Sequence, residues 1–261
     1  MPRPGPANTV KIVVCVKQVK ALGDEVEFTD DESDVDPDYL EPALNEWDSY
    51  ATEEALRIRE SLGEGEIVIV SAGDEEAEDA MRRCLAMGAD RAVRVEGVEA
   101  PDPISVARAL ADVVRSEEPD LVFCGAQSSD SVQAATGTAL AELVGLPRVA
   151  VVTKIDYDHG AQKAVVNREL EGGLLDVAEV DTPAVLTIQT GINEPRYATL
   201  RAIKQAEQKE IEVRPAPAGG DPGYRVRRMF VPPKGEGAEM LGKDPADVAQ
   251  RIAEILKERL K

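Results

Sequence analysis

The residues best suited to holding a phosphate are Gly125-Ala126-Gln127-Ser128-Ser129-Asp130-Ser131-Val132-Gln133-Ala134-Ala135-Thr136-Gly137. They join an apolar run to a helical pattern. Backbone N–H groups at a helix start, aided by the helix dipole, favour a phosphate there. Gly125 lets the backbone come close, and Ser131 and Thr136 offer hydroxyl donors. Neither a Walker A nor a GxGxxG pattern is present, and from the residues alone a Ser/Asp-capped helix without ligand is the commoner outcome. A second stretch, Asn193-Glu194-Pro195-Arg196-Tyr197-Ala198-Thr199-Leu200, holds no catalytic group. Pro195 fixes its own φ and pushes Glu194 toward extended backbone, so the segment is stiffer than a linker. Arg196 and Tyr197 beside apolar Leu200 suit a docking loop, while an ordinary connection with its Tyr packed inward stays open. His159, the single histidine, sits in an Asp-His-Gly turn and reads as a turn residue, since a general base needs an orienting partner and a pocket.

These stretches must be positioned by alternating strands and helices. Lys11–Val16 is a β-branched strand, followed by an acidic excursion at Asp30-Asp31-Glu32-Ser33-Asp34 that reads as a solvated loop or hairpin edge. Glu46–Leu62 turns helical, with Tyr50 and Leu56 on one stripe and the Glu residues and Arg57 facing out. Strand Ile67–Val70, helix Glu75–Met87 ending at Gly88, strand Ala92–Val95, helix Ile104–Arg115 after Asp102-Pro103, strand Leu121–Cys124 and helix Gln133–Val144 follow. That rhythm predicts an α/β fold: a Rossmann-like parallel sheet of adenine-nucleotide-binding type with helices on both faces. Val149–Val152, Ala164–Val166 and Leu174–Val180 then read as a small antiparallel hairpin region, and Ala184–Ile188 as a buried strand. Thr199 is placed to cap a short helix reaching about Gln208. Residues 1–10 read as a flexible tail, 11–213 as the nucleotide-binding domain with the docking loop at 191–201, and 214–261 as a C-terminal linker and helix. That helix, with Val248, Ile252, Ile255 and Leu256 on one face, could pack on a partner or fold back.

Composition narrows the partners. The formal charge is −20, from 50 Asp and Glu against 30 Lys and Arg, which disfavours nucleic acid and anionic membrane. The acids are spread along the chain, which points to high-salt adaptation ahead of an acidic docking face. Cys15, Cys84 and Cys124 lie far apart in apolar runs and fit buried thiols in a reducing cytoplasm, with no disulfide framework and no metal spacing. No run approaches the roughly 20 apolar residues of a membrane span.

Four stretches in order, Val14-Cys15-Val16-Lys17-Gln18-Val19, Ala86-Met87-Gly88-Ala89-Asp90-Arg91-Ala92, Arg168-Glu169-Leu170-Glu171-Gly172-Gly173 and Asn193–Leu200, resemble the small (beta) subunit of electron-transfer flavoproteins. The resemblance covers roughly Lys11 to Val213. It implies a non-enzymatic electron-carrier subunit that pairs with an alpha (large) subunit bearing most of the FAD. It also implies docking of acyl-CoA and other dehydrogenases, as in fatty acid β-oxidation, and electron delivery to a membrane quinone oxidoreductase. A structural AMP would be held by Cys15, Val16, Asn45, Glu46, Trp47, Asp48, Ala72, Gly125, Gln127, Asp130, Ser131, Val132, Gln133, Ala134, Ala135 and Thr136. Many relatives carry Lys at the position of Ala126 and polar residues at Ala134 and Ala135, and some hold FAD in place of AMP and bifurcate electrons. Leu200 would anchor the dehydrogenase, Arg196 and Tyr197 would shape the loop, and Glu169 would pair with an arginine of the large subunit. Two other classes stay open: an adenine-nucleotide enzyme of the same layered fold, disfavoured because Lys17-Gln18-Val19 follows the first strand, and a stress-protein-like nucleotide module.

Overall fold

Alternate residues of the first strand serve two different cores. In β1 (Val10–Cys15), Val10, Ile12 and Val14 point into one hydrophobic cluster while Val13 and Cys15 point into another. A strand buried on both faces reads as a continuous β-branched run, which is why this segment is legible without side-chain alternation. The computed structural model describes residues 9–23, 26–98, 102–217, 226–233, 235, 237, 238 and 240–260. The anticipated tail lies outside the described residues up to position 8, and Val10 already pairs with Gly65.

After β1 the chain forms a hairpin of β2 (Gln18–Leu22) and β3 (Leu40–Leu44), an antiparallel pair separate from the main sheet. The acidic excursion between them turns back on itself, with a bridge from Phe28 to Val35. Then come α1 (Glu46–Leu62), β4 (Gly65–Ala72), α2 (Ala77–Met87), β5 (Arg91–Glu96), α3 (Pro103–Glu117), β6 (Leu121–Gly125) and α4 (Thr136–Val144). The expected capping signals act as such: Asp102 accepts from the N–H groups of Ile104 and Ser105, and Gly88 closes α2 with φ 131°. Next are β7 (Arg148–Asp158), β8 (Lys163–Leu170), β9 (Leu174–Asp181), β10 (Ala184–Ile188), α5 (Leu200–Glu207), β11 (Ile211–Pro215) and α6 (Pro245–Arg259).

The main sheet has nine strands in the order β11-β5-β4-β1-β6-β10-β7-β8-β9. It is parallel from β11 through β7 and antiparallel from β7 to β9. The α/β layering expected from the sequence is therefore present. The hairpin region is longer than its apolar runs suggest, because β7 to β9 extend past the core and their outer residues are exposed. Helices α1 and α2 cover one face through Ala51, Ala55, Leu56, Met81 and Leu85. Helices α3 and α4 cover the other through Leu110, Val113, Val114 and Leu140. Leaving β1, the sheet grows toward β4 on one side and toward β6 on the other, so a crevice opens at their carboxyl ends.

Three local readings are corrected. Helix α4 begins at Thr136, not Gln133, because Val132 (φ 51°) and Ala134 (φ 49°) adopt left-handed backbone that cannot propagate a right-handed helix. Residues 211–215 form an edge strand on β5, and Ala216 N–H still bonds Glu96 O at 2.7 Å, so residues 214–216, read as linker, belong to the sheet edge. On α1, Glu53 and Glu54 are buried; they do not face solvent. Helix α6 starts at an Asp244 cap and buries none of its residues, so it does not fold back into the core.

Candidate functional site

The crevice between β1 and β6 is closed by the start of α1. Asp48, in the first turn of that helix and 4% exposed, uses one carboxylate oxygen for each strand exit. Lys17 N–H donates to Asp48 Oδ2 at 2.7 Å, and Gly125 N–H donates to Oδ1 at 2.9 Å. One side chain thus ties the ends of two neighbouring strands to the helix that follows the hairpin. Burial pushes the Asp48 carboxyl up to about 7, while the N–H donors of Lys17 and Gly125 and the nearby Lys17 charge pull it back.

Asn45, the residue before α1, holds the next part of the loop. Its Nδ2 donates to Gln127 O at 2.9 Å, and Ser129 N–H donates to its Oδ1 at 3.3 Å. Trp47 leans the other way and donates Nε1–H to Gln189 Oε1 at 2.8 Å, at the exit of β10. Beyond Gln127 the loop is held by polar side chains. Lys17 Nζ lies 2.6 Å from Asp130 Oδ1, Ser131 N–H donates to the same oxygen at 2.6 Å, and the hydroxyls of Ser128 and Ser131 stand 2.9 Å apart. The Lys17 ammonium, after burial is weighed, holds the Asp130 carboxyl below its ordinary range together with the Ser128 hydroxyl.

Two glycines set the clearance. A Cβ on Gly125 would meet Asp48 Oδ1 at 2.3 Å and Trp47 Cβ at 2.7 Å; one on Gly137 would meet Thr187 Cγ2 at 2.7 Å. The first lets the loop backbone sit against α1, and the second lets α4 sit against β10. The first N–H groups of α4 have no intrahelical acceptors, as at any helix start, and the loop reaches them through two left-handed residues, Val132 and Ala134.

The structure brings Cys15 and Val16, Asn45 to Asp48, and the loop Gly125, Gln127, Asp130, Ser131, Val132, Gln133, Ala134, Ala135 and Thr136 to one rim of the sheet, with Ala72 ending β4 on that same rim. Backbone donors and hydroxyls at a parallel-sheet crevice, beside the Lys17 ammonium that pairs with Asp130, form a donor set that a phosphate could meet. Sequence reasoning missed Lys17 as a member, although its place right after β1 was a usable signal. Cys15 and Cys124 lie side by side on β1 and β6; the contact between the two thiols and burial raise the Cys124 thiol.

A second site lies along α1, from Tyr50 to Glu60. Residues 189–199 cross this helix without regular structure, and Arg196 clasps it through Glu53 and Glu60. Asn193 Nδ2 donates to Tyr50 O at 3.0 Å and to Glu54 Oε2 at 2.9 Å. Thr199 caps α5 by accepting from Ala202 N–H, as its position predicted. Tyr197 is 100% exposed and Leu200 80%, so neither packs inward. Glu169 stands exposed on β8 opposite Leu175, beside the Glu171–Gly173 turn. His159 lies in the β7–β8 turn against Tyr157. Among the described residues there is no metal-ligating cluster, and no helix is long and apolar enough to cross a membrane.

Comparison with known proteins places these features in a lineage. The family model described as "Electron transfer flavoprotein domain" matches residues 35–218. A protein of Methylophilus methylotrophus named "Electron transfer flavoprotein subunit beta" is 47% identical over 261 residues, covering 95% of this chain and 98% of its own. A Syntrophomonas wolfei protein of the same name is 33% identical over 97% of this chain and 98% of its own. "Electron transfer flavoprotein subunit beta, mitochondrial" of Arabidopsis thaliana is 36% identical over 78% of this chain and 80% of its own.

Proposed function

This chain belongs to the electron transfer flavoprotein family, with its beta subunits, and from that premise we propose that it is the docking and adenylate-binding half of a heterodimer. Its alpha (large) partner carries the FAD, which supplies the redox chemistry when bound. This subunit holds a structural AMP, presents residues 193–200 to acyl-CoA and other dehydrogenases, and lets the electrons pass on to a membrane quinone oxidoreductase. It works in the cytoplasm and makes or breaks no covalent bond.

The single observation that carries this reading is the state of the docking loop. Its base is fastened to α1 by Arg196 and Asn193, while Tyr197 and Leu200 are left bare to solvent. Tyr197 and Leu200, with Ile203 41% exposed one turn further on, leave apolar surface on a fastened loop, which is the kind of surface a partner covers. Arg196 supports the loop from inside, and Leu200 is the anchor.

For the nucleotide, AMP is supported by the donor set. Its phosphate would meet Ser131, Thr136 and the backbone N–H groups opening α4, near Lys17. Asn45, Trp47 and Asp48 would hold the loop in shape, and Cys15, Val16 and Ala72 would floor the site. FAD in place of AMP, as in an electron-bifurcating subunit, is the second reading; Ala126, Ala134 and Ala135, which offer a phosphate no side-chain cation or amide, leave it open while AMP stays the favourite. The two are separated by releasing the ligands from purified heterodimer with heat and identifying them by mass. One FAD and one AMP per heterodimer is the expected result. Two FAD would replace AMP with the bifurcating reading, and absence of any adenylate beyond the partner's FAD would defeat the assignment of this site.

A further inference from the structure

Glu53 lies on α1 among charged neighbours, yet it is only 3% exposed. Both of its oxygens are filled. Oε1 accepts from Arg57 Nε at 3.1 Å and Arg196 Nη2 at 3.0 Å; Oε2 accepts from Arg196 Nε at 2.7 Å and from the Arg196 backbone N–H at 3.2 Å. Glu60, two turns further along the same face, accepts from Arg196 Nη1 at 2.6 Å and Nη2 at 3.1 Å. All three guanidinium nitrogens of Arg196 are therefore engaged within the chain. Burial alone would push the Glu53 carboxyl up, but hydrogen bonds from the Arg196 side chain and backbone outweigh it and leave it below its ordinary value.

A carboxylate taken out of water is expensive unless it is fully paired, and such pairs are poor general stabilisers. What this pair supplies is geometry. The planar guanidinium can satisfy two carboxylates at once only in one orientation, which fixes the backbone of the residue just before Tyr197. Resting on the docking role proposed above, we propose that Glu53 and Glu60 are positioning residues for dehydrogenase recognition. Through Arg196 they lock residues 193–199 onto α1, so that Tyr197 and Leu200 meet the partner already in place. Arg196 itself, with its side chain 35% exposed, directs all three guanidinium nitrogens to α1 and acts through the loop it holds. A loop ordered in advance loses less conformational entropy on docking, so removing the lock weakens association more than it slows the step that follows.

The test uses the complete heterodimer loaded with FAD, with an acyl-CoA dehydrogenase as donor. KM for the heterodimer and kcat are measured for Glu53→Gln, Glu60→Gln, Arg196→Gln and the double variant Glu53→Gln/Arg196→Gln. Each single change is expected to raise KM about tenfold with kcat held within about twofold. The double variant is expected to be no worse than Arg196→Gln alone, because both changes break one lock. Amide hydrogen exchange over residues 193–199 is expected to rise in the same variants without any dehydrogenase present. Additive effects in the double variant, unchanged KM in the Glu variants, or unchanged exchange would each overturn the inference. Leu200→Ala, run alongside, separates the two levels. If it raises KM while the Glu variants do not, the lock fails and the docking role stands; if it too leaves KM unchanged, the docking role fails. Should Glu53→Gln not yield folded complex, the exposed Glu60→Gln carries the same comparison.

Discussion

Gly125 donates its backbone N–H to Asp48 Oδ1 at 2.9 Å, and a Cβ on that glycine would stand 2.3 Å from the same oxygen. The hydrogen bond and the missing side chain are one requirement seen twice. The strand exit of β6 must lie directly on the start of α1 for the loop after it to reach Asn45 and Lys17.

Gly125→Ala should therefore break that contact. We expect a loss of about 1–3 kcal/mol in stability, the usual cost of overpacking, together with loss of the bound adenylate from purified heterodimer. Thermal melting and ligand content by mass measure the two effects. Wild-type adenylate content in a stable Gly125→Ala heterodimer would remove Gly125 from the site.

Asp48 makes stability pH-dependent in a definite direction. Its folded-state pKa, about 7, lies above its ordinary value of 3.8, so the folded chain holds a proton that the unfolded chain has given up. The contribution favouring folding is whole below 3.8 and is lost as pH rises through about 7. Urea midpoints taken from about pH 4 to pH 8 should show this slope, and Asp48→Asn should flatten it. Trp47, the sole tryptophan and the neighbour of Asp48, offers a fluorescence signal for the same transition. An identical slope in both proteins would assign the pH dependence elsewhere.

The three cysteines should be silent in the native protein. Cys15, Cys84 and Cys124 are buried and free, and burial pushes the Cys84 thiol up to about 12. A thiol reagent is expected to titrate none of them in the native heterodimer and all three after denaturation. Fast native labelling at Cys15 or Cys124 would show that the crevice opens more than its hydrogen bonds suggest.

Much of this was legible in the residues. The strands and helices that bury a continuous face, such as Ile67–Val70 or Glu46–Leu62, announce themselves through β-branched runs or a repeating stripe. The edges were harder to see. β11 and the β2–β3 hairpin gain their order from pairing, which a single segment does not display. The start of α4 was misplaced because Val132 and Ala134 adopt left-handed backbone that their own preferences oppose, with Val132 N–H closing locally on Ser128 O at 3.1 Å. Glu53 was hidden for a similar reason: an acid on a helix reads as solvated until its partner, 143 positions away in the chain, is brought to it. Its seven-residue spacing from Glu60, which puts both on one face, was the available clue.

The docking role rests most directly on Leu200, and reduction of the heterodimer's flavin by an acyl-CoA dehydrogenase measures it. With Leu200→Ala, kcat/KM for this reduction is expected to fall about tenfold or more, roughly 1.4 kcal/mol of lost association, with FAD and adenylate content unchanged. A Leu200→Ala heterodimer that is reduced as fast as wild type at every concentration would contradict it.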